Sequence, residues 1–322
     1  MAVRWGIMST ARINRLFLAG ASEASDVEIL AVGSRTSRQA ERFAEEFGIE
    51  RAHGSYEALL ADPDIEVVYI PLPNSLHTEF AVRSLRAGKH VLCEKPLSRR
   101  ASEVAATFDV AERERRLLME AFMYRHNPQT SRLMALIAEG RIGRVRIIRA
   151  AFGFFLADSA DVRLSAQLDG GALMDVGCYC VNAARMIAGE PERVSAEQVI
   201  GGGGVDVTFA ATMRFSGGVL AHFDAGLELV ANDELEVIGE EGSLFLDDPW
   251  HCRNPVIQFR HGGAVERFEL APADSYRLEA ENMSAAVRGE APLLLDRSDA
   301  VGQARAIEAL YRSAELGQAV AL

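Results

Sequence analysis

Val3-Arg4-Trp5-Gly6-Ile7-Met8 is a short, mostly apolar run, followed by the small residues Ser9-Thr10-Ala11 and a helix-compatible stretch from Ile13 to Ala21. An apolar run of this length is typical of a buried strand, and the stretch after it has the spacing of a helix. Because only a few small residues separate the two, the start of the chain predicts a strand, a tight loop and a helix.

The same unit recurs through the first 121 residues. Strands are predicted at Val27–Val32, Val67–Ile70, His90–Glu94 and Leu117–Phe122, and helices at Ser37–Phe47, His77–Ala87 and Arg100–Arg115. Gly48 and Gly88 stand where left-handed helix caps are expected. Nearly apolar strands joined by helices lie in a parallel sheet that is covered on both faces. Residues 1–122 are therefore predicted to form a doubly wound α/β nucleotide-binding domain, the Rossmann fold.

The pattern changes after about residue 125. A helix is predicted at Pro128–Ala138, and residues 206–215 alternate between apolar and smaller or polar side chains, as half-buried strands do. Ser216-Gly217-Gly218 turns this strand into Val219–Leu229, and Glu241-Gly242 joins Glu234–Ile238 to Leu244–Leu246. Residues 123–322 thus predict a mostly antiparallel sheet domain (α+β) with helices on one face, at Asp175–Met186, Tyr276–Val287 and Ser298–Glu315. The last helix is expected to pack back on the first domain, and Gly201–Gly204 to form a loop.

Composition excludes several classes of protein. The 322 residues include 34 basic and 46 acidic ones, so the net charge is −12, which does not suit a nucleic acid. The most apolar stretch, Val145–Ala157, is too short for a membrane span and contains two arginines. The first residues lack a secretory signal, and the four cysteines form no Cys-x-x-Cys pair. A cytoplasmic protein with reduced cysteines and no metal site is expected.

The loop Ser9-Thr10-Ala11-Arg12-Ile13 is the first candidate site. A pyrophosphate binds to backbone amides at the start of a helix, which requires small side chains nearby. Ser9, Ala11 and Asn14 occupy the three positions where a fingerprint would have glycine, and Arg12 adds positive charge. The alternative is an ordinary strand-to-helix turn.

The end of the second strand indicates which dinucleotide is bound. The sequence there is Gly33-Ser34-Arg35-Thr36-Ser37-Arg38, without the acid that would bind both ribose hydroxyls of NAD. Hydroxyl and guanidinium groups at Ser34, Arg35 and Arg38 suit a 2′-phosphate, which favours NADP. The alternative is that both arginines are simply a solvated helix start.

Two further strand ends complete the expected crevice. Leu72-Pro73-Asn74 and His77 belong to a segment too rich in proline to continue a strand, so a rigid loop over the cofactor is predicted. Glu94-Lys95-Pro96 ends the next strand, and the proline bars helical geometry at Lys95. Burial beside an oxidised nicotinamide would lower the pKa of this lysine towards its working range.

With these motifs the chain resembles the glucose-fructose oxidoreductase / inositol dehydrogenase (Gfo/Idh/MocA) family over essentially its whole length. The resemblance depends on Glu94-Lys95-Pro96, the loop Leu72–His77, Glu120–Arg125 and Gly170–Tyr179. Trp5–Asn14 is most similar to the branch that holds dimeric dihydrodiol dehydrogenase and NADP-dependent D-xylose dehydrogenase, whose members use NADP.

The resemblance implies that Lys95 stands at the reacting carbon and that Asp175 and Tyr179 face it from the second domain. We expect Tyr179 to accept the proton, with Lys95 lowering its pKa, because a phenol beside a cation ionises more easily. The alternative for Tyr179 is a half-buried core aromatic. Arg163 and His77 are expected to border the cofactor or the substrate, although a histidine at a helix start can also simply face solvent.

The expected function is hydride transfer between NADP and a secondary alcohol or carbonyl of a sugar, polyol or trans-diol. Two alternatives stay open, an NAD(P)-dependent glycosidase and a non-catalytic dinucleotide sensor. The small residues Thr208, Ala210 and Thr212 form a flat sheet face, and the resemblance implies that a second copy covers it, giving a homodimer or homotetramer.

Overall fold

Two sheets organise the chain, and the computed structural model describes residues 2–322. Fifteen strands lie within these residues. They are β1 (Val3–Met8), β2 (Val27–Gly33), β3 (Arg51–His53), β4 (Val67–Ile70), β5 (His90–Glu94), β6 (Leu118–Ala121), β7 (Val145–Phe155), β8 (Pro191–Ile200), β9 (Asp206–Phe215), β10 (Leu220–Gly226), β11 (Glu228–Gly239), β12 (Ser243–Leu246), β13 (Val256–His261), β14 (Ala264–Glu269) and β15 (Val320–Ala321).

Nine α-helices accompany the strands in residues 2–322. They are α1 (Asn14–Ser22), α2 (Ser37–Phe47), α3 (Tyr56–Ala61), α4 (His77–Arg86), α5 (Ala101–Glu114), α6 (Pro128–Ala138), α7 (Cys178–Ala188), α8 (Ser275–Val287) and α9 (Arg297–Leu316). A five-residue π-helix, Leu173–Gly177, leads directly into α7. The predicted helix Asp175–Met186 is therefore present, with a π-helical start.

The first sheet has six parallel strands in the order β3-β2-β1-β4-β5-β6. This order confirms the predicted doubly wound α/β fold. The sheet buries Trp5 completely, and Phe17 of α1 stacks on Tyr69 of β4 at 4.0 Å between ring centroids. Since all six strands run the same way, the carboxyl ends of β1, β4 and β5 meet at one edge, where a ligand binds in this fold.

The second sheet has nine strands in the order β14-β13-β12-β11-β7-β10-β9-β8-β15. Every neighbouring pair is antiparallel except β7 and β10. Strand β9 buries Val207, Phe209, Ala211, Met213 and Phe215 and exposes Ala210, Thr212 and Arg214. The predicted antiparallel sheet and the two predicted turns are thus confirmed.

One predicted strand is wrong. Val219–Leu229 was expected to be continuous, but the chain reverses at Leu227, so that β10 runs parallel to β7 on one side and β11 antiparallel on the other. Gly226 permits the reversal, because a Cβ there would collide with the side chain of Leu229. The sequence analysis also assigned no elements to 51–61 or 256–269, where β3, α3, β13 and β14 form.

The chain divides into two compact units. Unit 1 contains residues up to Ser98, Ser102–Met123 and Asp274–Val301, and unit 2 contains Arg99–Ala101, Tyr124–Ala273 and Gly302–Leu322. Helix α8 therefore belongs to the same compact unit as the first sheet. A hydrogen bond joins the two, from Trp5 Nε1 of β1 to Ser284 Oγ of α8 at 3.2 Å. The division of functions between 1–122 and 123–322 stays a prediction.

The structure also bears on disulfide bonds and membrane-spanning helices. All four cysteines are buried, and none forms a disulfide. No helix within residues 2–322 is both long enough and apolar enough to cross a bilayer.

Candidate active site

In unit 1, Ser9 holds the loop after β1 in an unusual backbone conformation. Its φ angle is +87°, in the left-handed region that favours glycine. Three hydrogen bonds stabilise it: the Ser9 amide to Gly33 O at 2.8 Å, its hydroxyl to Pro71 O at 3.2 Å, and Asn14 Nδ2 to its carbonyl at 2.9 Å. Ser9 thus has the conformation that glycine would supply in a dinucleotide fingerprint.

The loop leaves backbone donors available at the start of α1. The first bonds of the helix run from Asn14 N to Ala11 O and from Arg15 N to Arg12 O. Within residues 2–322 the amides of Arg12 and Ile13 have no partner, as is usual in the first helical turn. Thr10, Ala11 and Ile13 are only partly buried beside them, so these amides fit a phosphate.

Next to this loop lies a cavity of about 560 Å³ between the start of α1 and α2. Thr10, Ala11 and Arg12 line one side, and Gln39 and Arg42 the other. Ser34 at the end of β2 is buried, and its hydroxyl donates to Gln39 Oε1 at 3.3 Å.

Four guanidinium groups surround this cavity or the adjoining end of β2. They belong to Arg12, Arg35, Arg38 and Arg42, all exposed, and none is ion-paired with a carboxylate of residues 2–322. Arg15 differs, since it pairs with Glu46 at 2.7 Å. Unpaired guanidinium groups beside free amides form a donor set that fits a dinucleotide carrying an additional phosphate monoester.

His77 is buried between two loops of the same edge. Its Nδ1 lies 2.8 Å from Pro96 O and its Nε2 2.7 Å from Leu72 O. Burial lowers the pKa of His77, and the nearby Lys95 charge lowers it further. A neutral imidazole donates its single N–H to one of these carbonyls, but the ring lies against both and so links the Leu72-Pro73-Asn74 loop to the segment that carries Lys95.

Lys95 follows β5 and is partly buried. Its backbone amide donates to Glu94 Oε2 at 3.3 Å, and the other Glu94 oxygen accepts from Tyr69 OH at 2.6 Å. Both oxygens of the Glu94 carboxylate thus accept hydrogen bonds that fix the end of β5. Burial, assisted by the Glu94 charge, raises the pKa of Tyr69 well above its ordinary value.

Glu279 of α8 is a second acid close to this strand end. It is fully buried, and neither carboxylate oxygen has a hydrogen-bond partner within the described residues. Burial, and then the Glu94 charge, raise the pKa of Glu279 well above its usual range. Burial therefore favours the protonated, neutral form of Glu279.

In unit 2, Arg163 and Asp175 are neighbours. Arg163 forms a bidentate pair with Asp161 at 2.9 Å and approaches Asp175 Oδ2 at 3.5 Å. Its pKa is raised above the usual arginine value, chiefly by the hydrogen bonds to Asp161. Arg163 O also accepts from the Gly171 amide at 2.9 Å, which joins the loop to the π-helix.

A buried carboxylate anchors the start of that π-helix. Asp206 Oδ2 accepts from the Leu173 amide at 2.7 Å, and Asp206 Oδ1 accepts from Tyr311 OH at 2.9 Å. The Arg99 guanidinium lies over the Tyr311 ring at 4.1 Å. Gly171 has a φ of +122°, and a Cβ there would collide with Asp206 Oδ1. This packing explains why two glycines precede the segment with Asp175 and Tyr179.

Tyr179 lies in an aromatic cluster of unit 2 and is 7% exposed. Its ring is edge-on to Phe152 at 5.4 Å and is 5.8–5.9 Å from the rings of Tyr124 and Trp250. Lys95 belongs to unit 1, so the predicted proton-transfer pair stays a prediction. Sequence reasoning missed Asp206 and Glu279; their only signals were an acid at the head of an alternating strand and an acid on the packed face of a helix.

Two models of one protein family match the chain. A model of the oxidoreductase family with an NAD-binding Rossmann fold matches residues 3–122, and one of the GFO/IDH/MocA C-terminal domain matches residues 130–245.

Curated relatives match over most of their length. The chain is 40% identical to a D-xylose 1-dehydrogenase (NADP⁺) of Haloferax volcanii, covering 99% of both chains. It is 37% identical to the trans-1,2-dihydrobenzene-1,2-diol dehydrogenase of Mus musculus, covering 80% of this chain and 78% of the relative.

Solved structures share the whole architecture. An aldose-aldose oxidoreductase from Caulobacter crescentus, complexed with glycerol, has a TM-score of 0.93 and 27% identity, and both chains are fully covered. A 3-ketoreductase from Actinomadura kijaniata, in complex with NADP and TDP-benzene, has a TM-score of 0.91 and 32% identity, with 97% of this chain and 98% of that chain covered.

Proposed function

The chain belongs to the Gfo/Idh/MocA oxidoreductase family, and from this premise we propose that it is an NADP-dependent dehydrogenase or reductase. It acts on a secondary alcohol or carbonyl of a sugar, polyol or trans-diol. The observation that carries the proposal is the edge of the parallel sheet in unit 1. There, the amides at the start of α1, four unpaired guanidinium groups and the end of β5 with Lys95 belong to neighbouring elements.

NADP is the cofactor. Ser9, Thr10, Ala11, Arg12 and Ile13 would hold the pyrophosphate, and Ser34, Arg35 and Arg38 the 2′-phosphate. The absence of an acid at the end of β2 favours this choice, as does the relative whose name includes NADP⁺. Leu72, Pro73, Asn74, His77, Glu94 and Arg163 complete the proposed cofactor set, with His77 acting through the backbone carbonyls it contacts.

When bound, NADP supplies the hydride acceptor or donor. The residues of the chain supply position and a path for the proton. Tyr179 would take the proton from the substrate hydroxyl, and the Lys95 ammonium would favour the ionised phenol and orient the hydroxyl. Asp175, beside Arg163, would orient the substrate from unit 2. In the direction of reduction the same phenol returns the proton to the carbonyl oxygen.

A cellular location and an oligomeric state are also proposed. Four buried cysteines without disulfides suit a reducing compartment, which supports a cytoplasmic location. The face of β9 with Thr208, Ala210 and Thr212 is partly or fully exposed and supports association of identical chains into a dimer or tetramer.

The direct test is NADP⁺ reduction with pentoses, hexoses, inositols and trans-diols, together with NADPH oxidation by keto-sugars. We expect turnover with at least one polyol. No turnover with any of these compounds would contradict the proposal, and release of nitrophenol from aryl glycosides without net change in NADPH would favour hydrolysis instead.

A binding experiment tests the cofactor separately. NADPH should bind more tightly than NADH, and the double change Arg35→Ala with Arg38→Ala should weaken NADPH binding by about 10- to 100-fold while NADH changes little. Arg86→Ala, an exposed residue at the end of α4, is the matched control. Equal affinities for the two cofactors in the unaltered protein would overturn the choice of NADP.

A further inference from the structure

A second polar cluster lies in unit 2, beside the aromatic residues around Tyr179. It consists of Asp233 on β11 and of Asp248 and His251 in the loop after β12, and one ligating atom of each lies within 4.8 Å of the others. His251 Nδ1 is 2.9 Å from Asp233 Oδ2 and 3.6 Å from Asp248 Oδ1.

Asp248 is buried and Asp233 is partly buried, and each carboxylate keeps one inaccessible oxygen without a hydrogen-bond donor. Asp248 is 7% exposed; its Oδ2 accepts from the amides of Arg253 and Asn254 at 2.6 and 3.0 Å, whereas its Oδ1 has no hydrogen-bond partner in the described chain. Asp233 Oδ1 is likewise without a donor. Such buried acceptors are costly unless they serve a charge or a ligand close by.

The imidazole is the accessible member of the cluster, with a side chain 36% exposed. Its Nδ1 is engaged by Asp233, and within residues 2–322 its Nε2 makes no hydrogen bond. A carboxylate that holds one ring nitrogen fixes the orientation of the other, an arrangement by which proteins present a histidine to a ligand.

The aromatic cluster connects His251 to Tyr179. The His251 ring is edge-on to Phe152 at 5.5 Å, and Tyr179 is also edge-on to Phe152, at 5.4 Å. Trp250, adjacent to His251, is 5.9 Å from Tyr179 and is fixed by its Nε1 hydrogen bond to Ala151 O at 2.9 Å. One aromatic ring therefore separates His251 from the proposed proton acceptor.

We propose that His251, held by Asp233 and Asp248, is a specificity-determining residue that hydrogen-bonds through Nε2 to a hydroxyl of the substrate that is neither on the reacting carbon nor on the carbon next to it. This inference depends on the proposed function. It selects polyhydroxylated substrates, because a 1,2-diol, which lacks this more distant hydroxyl, would leave Nε2 without the hydrogen bond.

A metal ion suits the cluster less well. The Arg253 guanidinium lies 3.4 Å from Asp248 Oδ2 and 3.3 Å from His251 Nδ1, so a cation already occupies the side from which Nδ1 would coordinate. A neutral hydroxyl at Nε2 requires no displacement of Arg253.

The test compares two substrates of the unaltered enzyme, D-xylose and trans-cyclohexane-1,2-diol, which differ in the number of hydroxyls away from the reacting carbon. His251→Phe keeps the ring against Phe152 and removes both nitrogens. We expect the KM for xylose to rise by about 10- to 100-fold with kcat retained, and the KM for the diol to change little. His251→Gln, which keeps a side-chain hydrogen-bond acceptor, should show a smaller rise in the KM for xylose than His251→Phe. Asp233→Asn should cause part of the rise seen in His251→Phe.

His261→Phe is the matched control, because His261 is an exposed histidine of the same unit that stacks on Phe259 at 5.0 Å. Equal losses with both substrates would mean a structural role and would overturn the inference, as would no loss in His251→Phe. A bound metal that disappears in Asp248→Asn would also overturn it. If the unaltered enzyme reduces NADP⁺ with neither substrate, the proposed function itself has failed.

Discussion

At the scale of single residues, Lys95 and Tyr179 carry the proposed chemistry. Lys95→Ala and Tyr179→Phe should each lower kcat by about 10²- to 10⁴-fold, because each removes part of a general acid–base step. The dissociation constant for NADPH should stay close to that of the unaltered protein. Single-turnover rates and cofactor titration measure the two effects, and a near-normal kcat in both variants would contradict the assignment.

Gly171 is the residue whose backbone most constrains the site in unit 2. Gly171→Ala places a Cβ at a φ of +122° and against Asp206 Oδ1, the carboxylate that anchors the π-helix. We expect a loss of more than about 1 kcal/mol in the free energy of unfolding, measured with urea.

The control for this prediction is Gly189→Ala. Gly189 also has a positive φ, +82°, but a Cβ there would meet nothing within 4 Å. The difference between the two variants therefore isolates the collision with Asp206. Equal losses in the free energy of unfolding would contradict the prediction, because the contact with Asp206 would then add nothing to the effect of the backbone conformation.

At the scale of elements, α8 brings a buried acid to the end of β5. Because the pKa of Glu279 is raised, the folded protein keeps a proton that the unfolded chain releases above about pH 4.5. The free energy of unfolding should then fall as pH rises above that value, by up to roughly 1.4 kcal/mol per pH unit, until the folded-state pKa is passed.

Glu279→Gln should remove this dependence and become more stable than the unaltered protein as pH increases. Urea unfolding at a series of pH values measures the pH dependence of the free energy of unfolding. Glu281→Gln on the same helix is the control, since Glu281 is only partly buried beside Arg277. Parallel pH curves for Glu279→Gln and the unaltered protein would show that Glu279 is ionised in the folded state.

At the scale of the whole molecule, we expect the face of β9 with Thr208, Ala210 and Thr212 to form the contact between identical chains. Sedimentation should give two or four times the chain mass of 35.0 kDa. Ala210 is exposed and pairs across the sheet with Glu197 and Asp224, so Ala210→Glu adds a third acid to that row. We expect it to dissociate the oligomer, whereas Val265→Glu on the exposed strand β14 should not. A monomer of the unaltered chain would contradict the proposal.

Much of the architecture was predictable from the sequence because its causes are local. Apolar runs such as Val67–Ile70 and intervening helices specify a parallel sheet without knowledge of distant contacts, and the alternation in β9 specifies one buried face. The residues between β1 and α1 and the arginines after β2 were recognisable for the same reason, since each candidate binding feature lies within a few consecutive residues.

The tertiary structure alone decided which distant groups meet. Local periodicity cannot show that Asp206 bonds to the Leu173 amide, that Glu279 is buried near Glu94, or that Asp233 orients His251. These pairs are 33, 185 and 18 residues apart along the chain. Nor can it show the reversal at Leu227 or the grouping of residues 274–301 with the first sheet. A side chain's neighbours across the fold set its burial, protonation and partners, and those neighbours are determined only when the chain packs.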